Sequence, residues 1–267
     1  MHSKISVSGL CFRSLTLPAL VEELHRLGVN TTTLLARDLQ TFGVDRARDL
    51  LASSNITVAA LIGNYPKDLT DPQTWDLSCS ELTDAVDAAV LVGAPAVYTV
   101  TGPLIGDENA SFDAFARFIE PVTAHARRAG VEFLVESTLN SYSYVSFAHT
   151  LDTTIRLARQ CDMGICLDLF HTWNDPDLSR VLRESIDRIS LIQIGDSAVD
   201  KDGTTQKQIP GEGSVPLNDI LTQIVNAGYK GVFDLEIDGP LIDAVGGSAA
   251  AERALTFLDR TLAAAHA

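Results

Sequence analysis

The sequence predicts an α/β fold of one domain over residues 1–267, in which eight parallel strands alternate with helices and close into a (β/α)8 TIM barrel. Short apolar runs rich in β-branched residues alternate along the chain with segments of helical spacing, in about eight units. The length of 267 residues is close to the roughly 250 that are typical of this barrel. An open doubly wound sheet is the alternative. It would more often show a glycine-rich phosphate loop after its first strand, where this chain has SVSGLCF.

Each strand is predicted from a short apolar run that is bounded by turn residues. The first four strands are predicted in the segments KISVSG (4–9), TTTLLA (31–36), ITVAALIG (56–63) and AVYTVTG (96–102). The last four are predicted in the segments EFLVEST (132–138), GICLDLF (164–170), SLIQIGD (190–196) and GVFDLEID (231–238).

Helices are predicted between the strands, where apolar residues recur every three or four positions. The first begins at Leu17, with Thr16 as its N-cap, and stops at Gly28. A second covers 112–122, with Ser111 before it and Gly130 after it. The same spacing predicts helices over 217–225 and over the alanine-rich tail, 249–265.

The composition excludes several classes of protein. The formal net charge of -15 would be repelled by a phosphate backbone, so we expect no nucleic-acid partner. No apolar run reaches the roughly 18 residues of a membrane span, and the segment MHSKISVSGLCF lacks the apolar core of a signal peptide. The four cysteines form no CxxC pair, which fits a reducing compartment. We therefore expect a cytoplasmic protein with a small-molecule substrate and no membrane partner, for which a homo-oligomer stays open.

Polar side chains gather at the ends of the predicted strands, where barrels of this kind place their catalytic groups. The last four strands end in Glu136, in Asp168 with His171, in Gln193 with Asp196, and in Glu236 with Asp238. The first four end in residues of little charge, which are Ser8, Thr33, Asn64, Thr99 and Thr101. Four consecutive strands therefore direct three carboxylates and one amide to the same face.

Three carboxylates held close together and away from water repel one another, which raises their pKa values. A divalent cation removes this conflict, and oxygen ligands suit Mg²⁺ or Mn²⁺ better than a thiol-binding metal. The side-chain carbonyl of Gln193 is an acceptable ligand for such an ion, although buried amides also commonly satisfy backbone groups. His171 is open to a structural or a functional interpretation. Asp196 could contact a substrate or orient a neighbouring group.

The motifs around these residues resemble those of the sugar-phosphate isomerase/epimerase superfamily, the xylose-isomerase-like TIM barrels, which includes ketose 3-epimerases and hydroxypyruvate isomerases. LVEST is similar to the family's strand-five glutamate motif, and LDLFHTW is similar to its Asp-x-x-His motif. IQIGD looks like the strand-seven motif, where many members have histidine and hydroxypyruvate isomerases have glutamine. IPGEGSVPL and GYKGVFDLEIDGP resemble the last loop and strand. The resemblance covers most of the chain and is most specific over residues 132–243.

The resemblance implies a role for each of these residues. The ligands of one divalent metal ion, with Mn²⁺ favoured and Mg²⁺ or Co²⁺ as alternatives, would be Glu136, Asp168, Gln193 and Glu236. Glu136 and Glu236 would also be the catalytic acid and base. The residues assigned to substrate binding are His171, Lys207, Tyr142 and Asp196. Two of these depart from the family pattern, because Lys207 stands where relatives usually have arginine and Tyr142 replaces an acidic contact of the epimerases.

These assignments predict a metal-dependent isomerase or epimerase of a sugar-like hydroxy-ketone, in which a proton is transferred through a metal-stabilised enediolate. A lyase or dehydratase that acts on a keto-sugar or a glycoside by β-elimination is the alternative, since it would use the same site. A non-catalytic ligand-binding barrel is the alternative of another class. The DNA-repair endonucleases of the superfamily need more histidines and a basic face, which six histidines and a net charge of -15 do not supply.

Overall fold

Eight parallel strands close into a barrel in the computed structural model, which describes residues 1–265, and the predicted fold class is confirmed. The last two residues of the predicted 1–267 domain lie outside the described residues. The strands in chain order are β1 (Ile5–Ser8), β2 (Thr31–Leu35), β3 (Thr57–Ile62), β4 (Ala96–Thr99), β5 (Glu132–Glu136), β6 (Gly164–Asp168), β7 (Ile189–Ile194), β8 (Asp196–Val199), β9 (Thr205–Gln208) and β10 (Val232–Leu235). The barrel consists of β1 to β7 and β10, and β10 pairs with both β7 and β1. Each predicted strand overlaps one of these barrel strands.

Helices follow the barrel strands and cover the outside of the sheet. In chain order they are α1 (Leu17–Leu27), α2 (Ala36–Phe42), α3 (Val44–Ser53), α4 (Trp75–Val92), α5 (Glu108–Ala129), α6 (Leu151–Gln160), α7 (Leu169–Thr172), α8 (Leu178–Glu184), α9 (Leu217–Asn226), α10 (Pro240–Val245) and α11 (Gly247–Ala265). Within residues 1–265, no helix is both long enough and apolar enough to cross a membrane.

Helix α5 is longer at both ends than the sequence predicts. Asp107 is its N-cap, because the Asp107 carboxylate accepts a hydrogen bond from the backbone N–H of Ala110 at 2.8 Å. Ser111, the residue predicted to precede the helix, lies inside its first turn, and its hydroxyl donates to the Ile105 carbonyl at 3.0 Å. The helix ends at Gly130, whose φ of 72° is a left-handed conformation that glycine adopts without strain.

A small cluster of buried side chains fills the inside of the barrel, and it is separate from the larger core between the strands and the helices. Its members are Ala60, Ala96, Tyr98, Leu134, Cys166 and Leu191. Alternate residues of each strand point to the same face, so polar residues further along these strands also point inwards. The Tyr98 hydroxyl, for example, hydrogen-bonds to the side chains of Gln193 and Glu236. The barrel interior is therefore polar at the end where the sequence predicts the site.

A two-stranded antiparallel hairpin, β8 and β9, follows barrel strand β7, and the sequence gives no indication of it. Asp196, which was predicted to end strand seven, instead begins β8. Gly195 lies between β7 and β8, where an added Cβ would be 3.2 Å from both the Glu236 carbonyl oxygen and the Phe170 Cβ. In the hairpin, Ser197 is the register partner of Lys207. The hairpin thereby carries Lys207 to the end of the barrel that holds the carboxylates.

Candidate active site and metal centre

The carboxyl ends of β5, β6, β7 and β10 bring together the four predicted metal ligands, all of them buried. Glu136 and Asp168 both lie within 4 Å of the His171 imidazole. Gln193 hydrogen-bonds to Glu236, and the buried ammonium of Lys207 contacts Asp168 and Glu236. The polar side chains at the ends of β5, β6, β7 and β10 therefore form one continuous group, as the positions of these residues in the sequence predict.

Glu136 is the last residue of β5 and faces the other carboxylates. Burial raises the pKa of Glu136 well above its usual value, and the charges of Glu236 and Asp168 raise it further against the opposing effect of Lys207. The protonated form of Glu136 is thereby favoured unless a further cation enters the group.

Asp168 is the last residue of β6 and the N-cap of helix α7. One of its oxygens accepts a hydrogen bond from the Phe170 backbone N–H at 2.8 Å. The other oxygen, Oδ2, is buried and accepts no hydrogen bond from any residue within 1–265. It lies 3.6 Å from Lys207 Nζ and 3.7 Å from His171 Nε2. Burial raises the pKa of Asp168 despite these neighbours. A buried carboxylate oxygen that accepts no hydrogen bond is a suitable ligand for a cation, so this atom fits the predicted metal centre.

His171 presents one ring nitrogen to the carboxylates and the other to the backbone. Its Nδ1 accepts a hydrogen bond from the Leu139 N–H at 3.2 Å, so the proton of the neutral ring lies on Nε2. Burial, helped by the Lys207 charge, lowers the pKa of His171 to about 3, and the ring is neutral at physiological pH. Nε2 is 3.9 Å from Glu136 Oε1. In this tautomer His171 is a hydrogen-bond donor towards the centre of the site.

One set of donor atoms is close enough to hold a metal ion. The donor atoms of Glu136, Asp168 and His171 all lie within 4.8 Å of one another. If His171 bound a metal through Nε2, its proton would have to move to Nδ1, which would break the hydrogen bond from Leu139. The two carboxylates need no such change. The structure therefore favours oxygen ligands at this centre and leaves His171 free to contact a substrate.

Gln193 is fully buried inside the barrel, and protein groups satisfy both ends of its amide. Its Nε2 donates to Glu236 Oε2 and to the Tyr98 hydroxyl, the latter at 2.9 Å. Its Oε1 accepts a hydrogen bond from the Cys166 thiol, with 3.0 Å between the heavy atoms. The amide nitrogen, and not the carbonyl oxygen, faces Glu236. Gln193 would have to turn over about its last bond to ligate a metal, so its assignment as a ligand stays a prediction.

Glu236 follows β10 and has partners at both oxygens. Its Oε1 accepts a hydrogen bond from Lys207 Nζ at 2.7 Å. Its Oε2 accepts hydrogen bonds from Gln193, from the Tyr98 hydroxyl at 3.4 Å and from the Ser8 hydroxyl at 3.5 Å. Both oxygens of Glu236 are thus bound by donors of the protein, whereas burial and the charges of neighbouring carboxylates raise the pKa of Glu136.

Lys207 supplies the positive charge of the group. Burial alone would lower the pKa of Lys207, but the carboxylates of Glu236, Asp168 and Asp238 outweigh burial and raise it well above the usual value. Its Nζ is 3.8 Å from Asp238 Oδ1 and 5.5 Å from the centre of the Phe170 ring. Lys207 therefore remains an ammonium ion in the site.

Tyr142 lies at the edge of the group, and Asp196 lies outside it. The half-buried Tyr142 ring packs edge-on against the His171 ring, with 4.9 Å between their centres. Asp196 is fully buried, and its two oxygens accept four backbone hydrogen bonds, from the N–H groups of Ser197, Gly211, Gly213 and Val215. The structure makes Asp196 the anchor of the hairpin and the following loop, and it brings Asp196 to none of the other predicted site residues.

Two buried polar residues of the barrel interior were not among the predicted site residues. Tyr98 links Gln193 to Glu236, and its position inside an apolar strand was a signal that could have found it. Asp234 precedes Glu236 by two residues on the same face of β10, and it accepts a hydrogen bond from the Thr33 hydroxyl at 2.8 Å. Burial raises the pKa of Asp234 to about 7. The alternation of Asp234 and Glu236 along one strand was the signal for the second acid.

An apolar cavity of about 310 Å³ lies beside α1 and α2 and contains none of the carboxylates described above. A second cavity, of about 540 Å³, is lined in part by Arg13 and Asp238 and adjoins the group through Asp238. The candidate site is therefore assigned from its buried charged groups and not from the position of either cavity.

Solved structures of known proteins have the same fold. Protein SMc04130 from Sinorhizobium meliloti 1021 is 23% identical, with a TM-score of 0.85 over 96% of both chains. An L-ribulose 3-epimerase is 15% identical, with a TM-score of 0.82 over 99% of this chain and 96% of its own. The IolI protein, solved with a zinc atom, is 15% identical, with a TM-score of 0.80 over 98% of both chains. At these identities the likeness shows the fold alone.

A comparison by sequence identifies the family. No curated protein matches this chain. A model of the xylose isomerase-like TIM barrel family matches residues 21–261, which include all eight residues that were assigned to the site. Because this match runs over most of the sequence, the chain belongs to the xylose isomerase-like TIM barrel family.

Proposed function

We propose that this protein is a divalent-metal-dependent isomerase or epimerase that moves a proton on a sugar-like hydroxy-ketone. The observation that carries the proposal is the pair of buried glutamates, Glu136 and Glu236, in unlike surroundings at one end of the barrel. Glu136 lies beside the His171 ring, whereas Glu236 is paired with the Lys207 ammonium. Two carboxyl groups with different partners in one site can divide the removal and the return of a proton between them.

The proposed metal ligands are oxygen atoms of Glu136, Asp168 and Glu236, completed by the carbonyl of Gln193 after its amide has turned over. The Asp168 Oδ2 atom, which is buried and accepts no hydrogen bond from any described residue, supports this assignment. A divalent ion supplies Lewis-acid chemistry, which polarises a substrate carbonyl and makes the neighbouring carbon more acidic. The proposed ion is Mn²⁺, with Mg²⁺ and Co²⁺ as the alternatives, since oxygen ligands suit hard divalent ions but do not distinguish Mn²⁺ from Mg²⁺.

The remaining polar residues would bind and orient the substrate. His171 is neutral with its proton on Nε2, so it can donate a hydrogen bond to a substrate oxygen. Lys207 can donate to a second oxygen from the hairpin side. The Tyr142 ring packs edge-on against the imidazole and would help to hold its orientation. In this arrangement one of the two glutamates, Glu136 or Glu236, would remove a proton from the substrate and the other would return it.

Deuterium exchange tests the proton transfer. A panel of hydroxy-ketone sugars, incubated with the Mn²⁺-loaded protein in D₂O, should gain deuterium beside the carbonyl, which NMR detects. Glu136→Gln and Glu236→Gln should each slow exchange by about a hundredfold or more, because each removes one proton-transfer group. Glu132→Gln, at the exposed start of the same strand as Glu136, is the matched control and should keep the wild-type rate.

The same samples distinguish the reaction classes. A product whose mass differs from that of the substrate only by the deuterium gained indicates an isomerase or epimerase, and loss of a leaving group indicates the lyase that would share this site. Wild-type exchange rates in both glutamine variants, with unchanged far-UV circular dichroism, would show that the acid and base assignment is wrong.

A further inference from the structure

The ammonium of Lys207 contacts two of the proposed metal ligands, Asp168 and Glu236. We infer that its ammonium is a built-in counter-ion, which pairs with the carboxylates in the metal-free protein and moves outwards to Asp238 when a divalent ion binds. This inference rests on the proposed function, since it concerns the metal centre of the same site. It assigns Lys207 two positions, of which the structure shows the inner one.

The contacts of Lys207 define the inner position. Its side chain is only 7% exposed, and its Nζ lies 2.7 Å from Glu236 Oε1 and 3.6 Å from Asp168 Oδ2. These two carboxylates are on different strands and are both proposed metal ligands. Buried carboxylates in such a group need a positive charge nearby. In the inner position one ammonium supplies that charge from within the chain.

The ammonium and a divalent ion cannot share these oxygens. A divalent ion sits about 2.1 Å from each carboxylate oxygen that it binds. An ammonium hydrogen-bonded to the same Glu236 oxygen would then lie within a few ångströms of the ion, and like charges repel strongly in a site of low dielectric constant. A metal that binds Glu236 through Oε1 therefore requires Lys207 to leave that oxygen.

An outer position already exists beside the inner one. Asp238 Oδ1 is 3.8 Å from Lys207 Nζ, and the Asp238 side chain is 31% exposed, so this carboxylate marks the way to solvent. The Phe170 ring, 5.5 Å from Nζ, offers an aromatic face near the path between them. Arg13 forms an ion pair with the other oxygen of Asp238, Oδ2, at 2.6 Å, so Oδ1 is available to Lys207. The ammonium can move outwards without losing every carboxylate partner.

The movement needs only the side chain of Lys207. Its backbone is held in the β8–β9 ladder opposite Ser197, and Asp196 fixes the base of that hairpin through four backbone amides. In the outer position the ammonium stands at the entrance, where a substrate oxygen can accept a hydrogen bond from it. Binding of the metal and of the substrate would then favour each other, because the first releases a donor for the second.

Metal titration tests the competition. Isothermal titration of the metal-free protein with Mn²⁺ should give an affinity at least about tenfold higher for Lys207→Met than for wild type, since the competing ammonium is gone. Lys201→Met removes the same charge from the exposed tip of the same hairpin and should bind within about twofold of wild type. Equal or weaker binding by Lys207→Met overturns the inference. If neither wild type nor Lys207→Met binds Mn²⁺, the proposed metal centre is wrong as well.

Amine labelling of the wild-type protein tests the movement and needs no variant to fold. A brief pulse of an acylating reagent, read by peptide mass spectrometry with and without Mn²⁺, should label Lys207 several-fold more when the metal is bound. Labelling of Lys201 should not change. Tighter metal binding by Lys207→Met without a change in the labelling of Lys207 would mean that the ammonium repels the ion from a fixed position. That outcome refutes the outer position.

Discussion

Replacing Asp196 with alanine should destabilise the protein by about 4 kcal/mol. The buried carboxylate accepts four backbone hydrogen bonds at 2.8 to 3.0 Å. Two of the donors, Gly211 and Gly213, are exposed and can bind water after the substitution, whereas Ser197 and Val215 are buried. A buried donor left without a partner costs about 2 kcal/mol, and the two together give the expected loss.

Urea unfolding followed by far-UV circular dichroism measures this loss directly. Asp196→Asn should fall between wild type and Asp196→Ala, because it keeps one acceptor oxygen but turns an amide group towards two N–H donors. Asp187→Asn, an exposed carboxylate elsewhere on the chain, is the control and should change stability by less than about 0.5 kcal/mol. If Asp196→Ala loses less than about 1 kcal/mol, the anchoring role assigned to Asp196 is wrong.

Three further predictions concern the barrel interior. Burial raises the pKa of Asp234 from 3.8 to about 7, so the folded protein keeps a proton that the unfolded chain releases, and stability falls as pH rises through this range. Asp234→Asn should remove that fall and be more stable above pH 7 by about 4 kcal/mol in metal-free protein, which urea unfolding at pH 5 and pH 8 would show or disprove. Titration with Mn²⁺ should raise the thermal midpoint of EDTA-treated wild type, and the rise should be smaller for Gln193→Ala; an equal rise would remove Gln193 from the ligand set. Tyr98→Phe should cost about 1 kcal/mol of stability and slow deuterium exchange about tenfold, because Glu236 and Gln193 both lose a partner; an unchanged exchange rate would make Tyr98 purely structural.

The barrel and the composition of its site could be predicted because both follow from short-range patterns. Each barrel strand is an apolar run that ends in a turn, and the carboxyl ends of parallel strands meet at one end of the barrel. That rule alone gathers Glu136, Asp168, Gln193 and Glu236, and the structure brings these four residues together.

The hairpin could not be predicted, because nothing local marks it. Its strands DSAV and TQKQ lack an apolar alternation, and the bonds that anchor it reach as far as 19 residues ahead, from Asp196 to Val215. The orientation of the Gln193 amide is equally non-local, since Tyr98 on β4 and Cys166 on β6 determine it. Contacts between distant strands leave no spacing pattern in the sequence.

The tip and the base of the β8–β9 hairpin differ in burial and in hydrogen bonding. The base is tied to buried amides through Asp196, whereas the tip, 201–205, is exposed. Lys207 lies opposite Ser197, near the base, so extra residues inserted at the tip would not move its ammonium. The sequence of the tip can therefore be exchanged without disturbing the base of the hairpin. Longer or differently charged tips should leave the position of Lys207 in the proposed site unchanged.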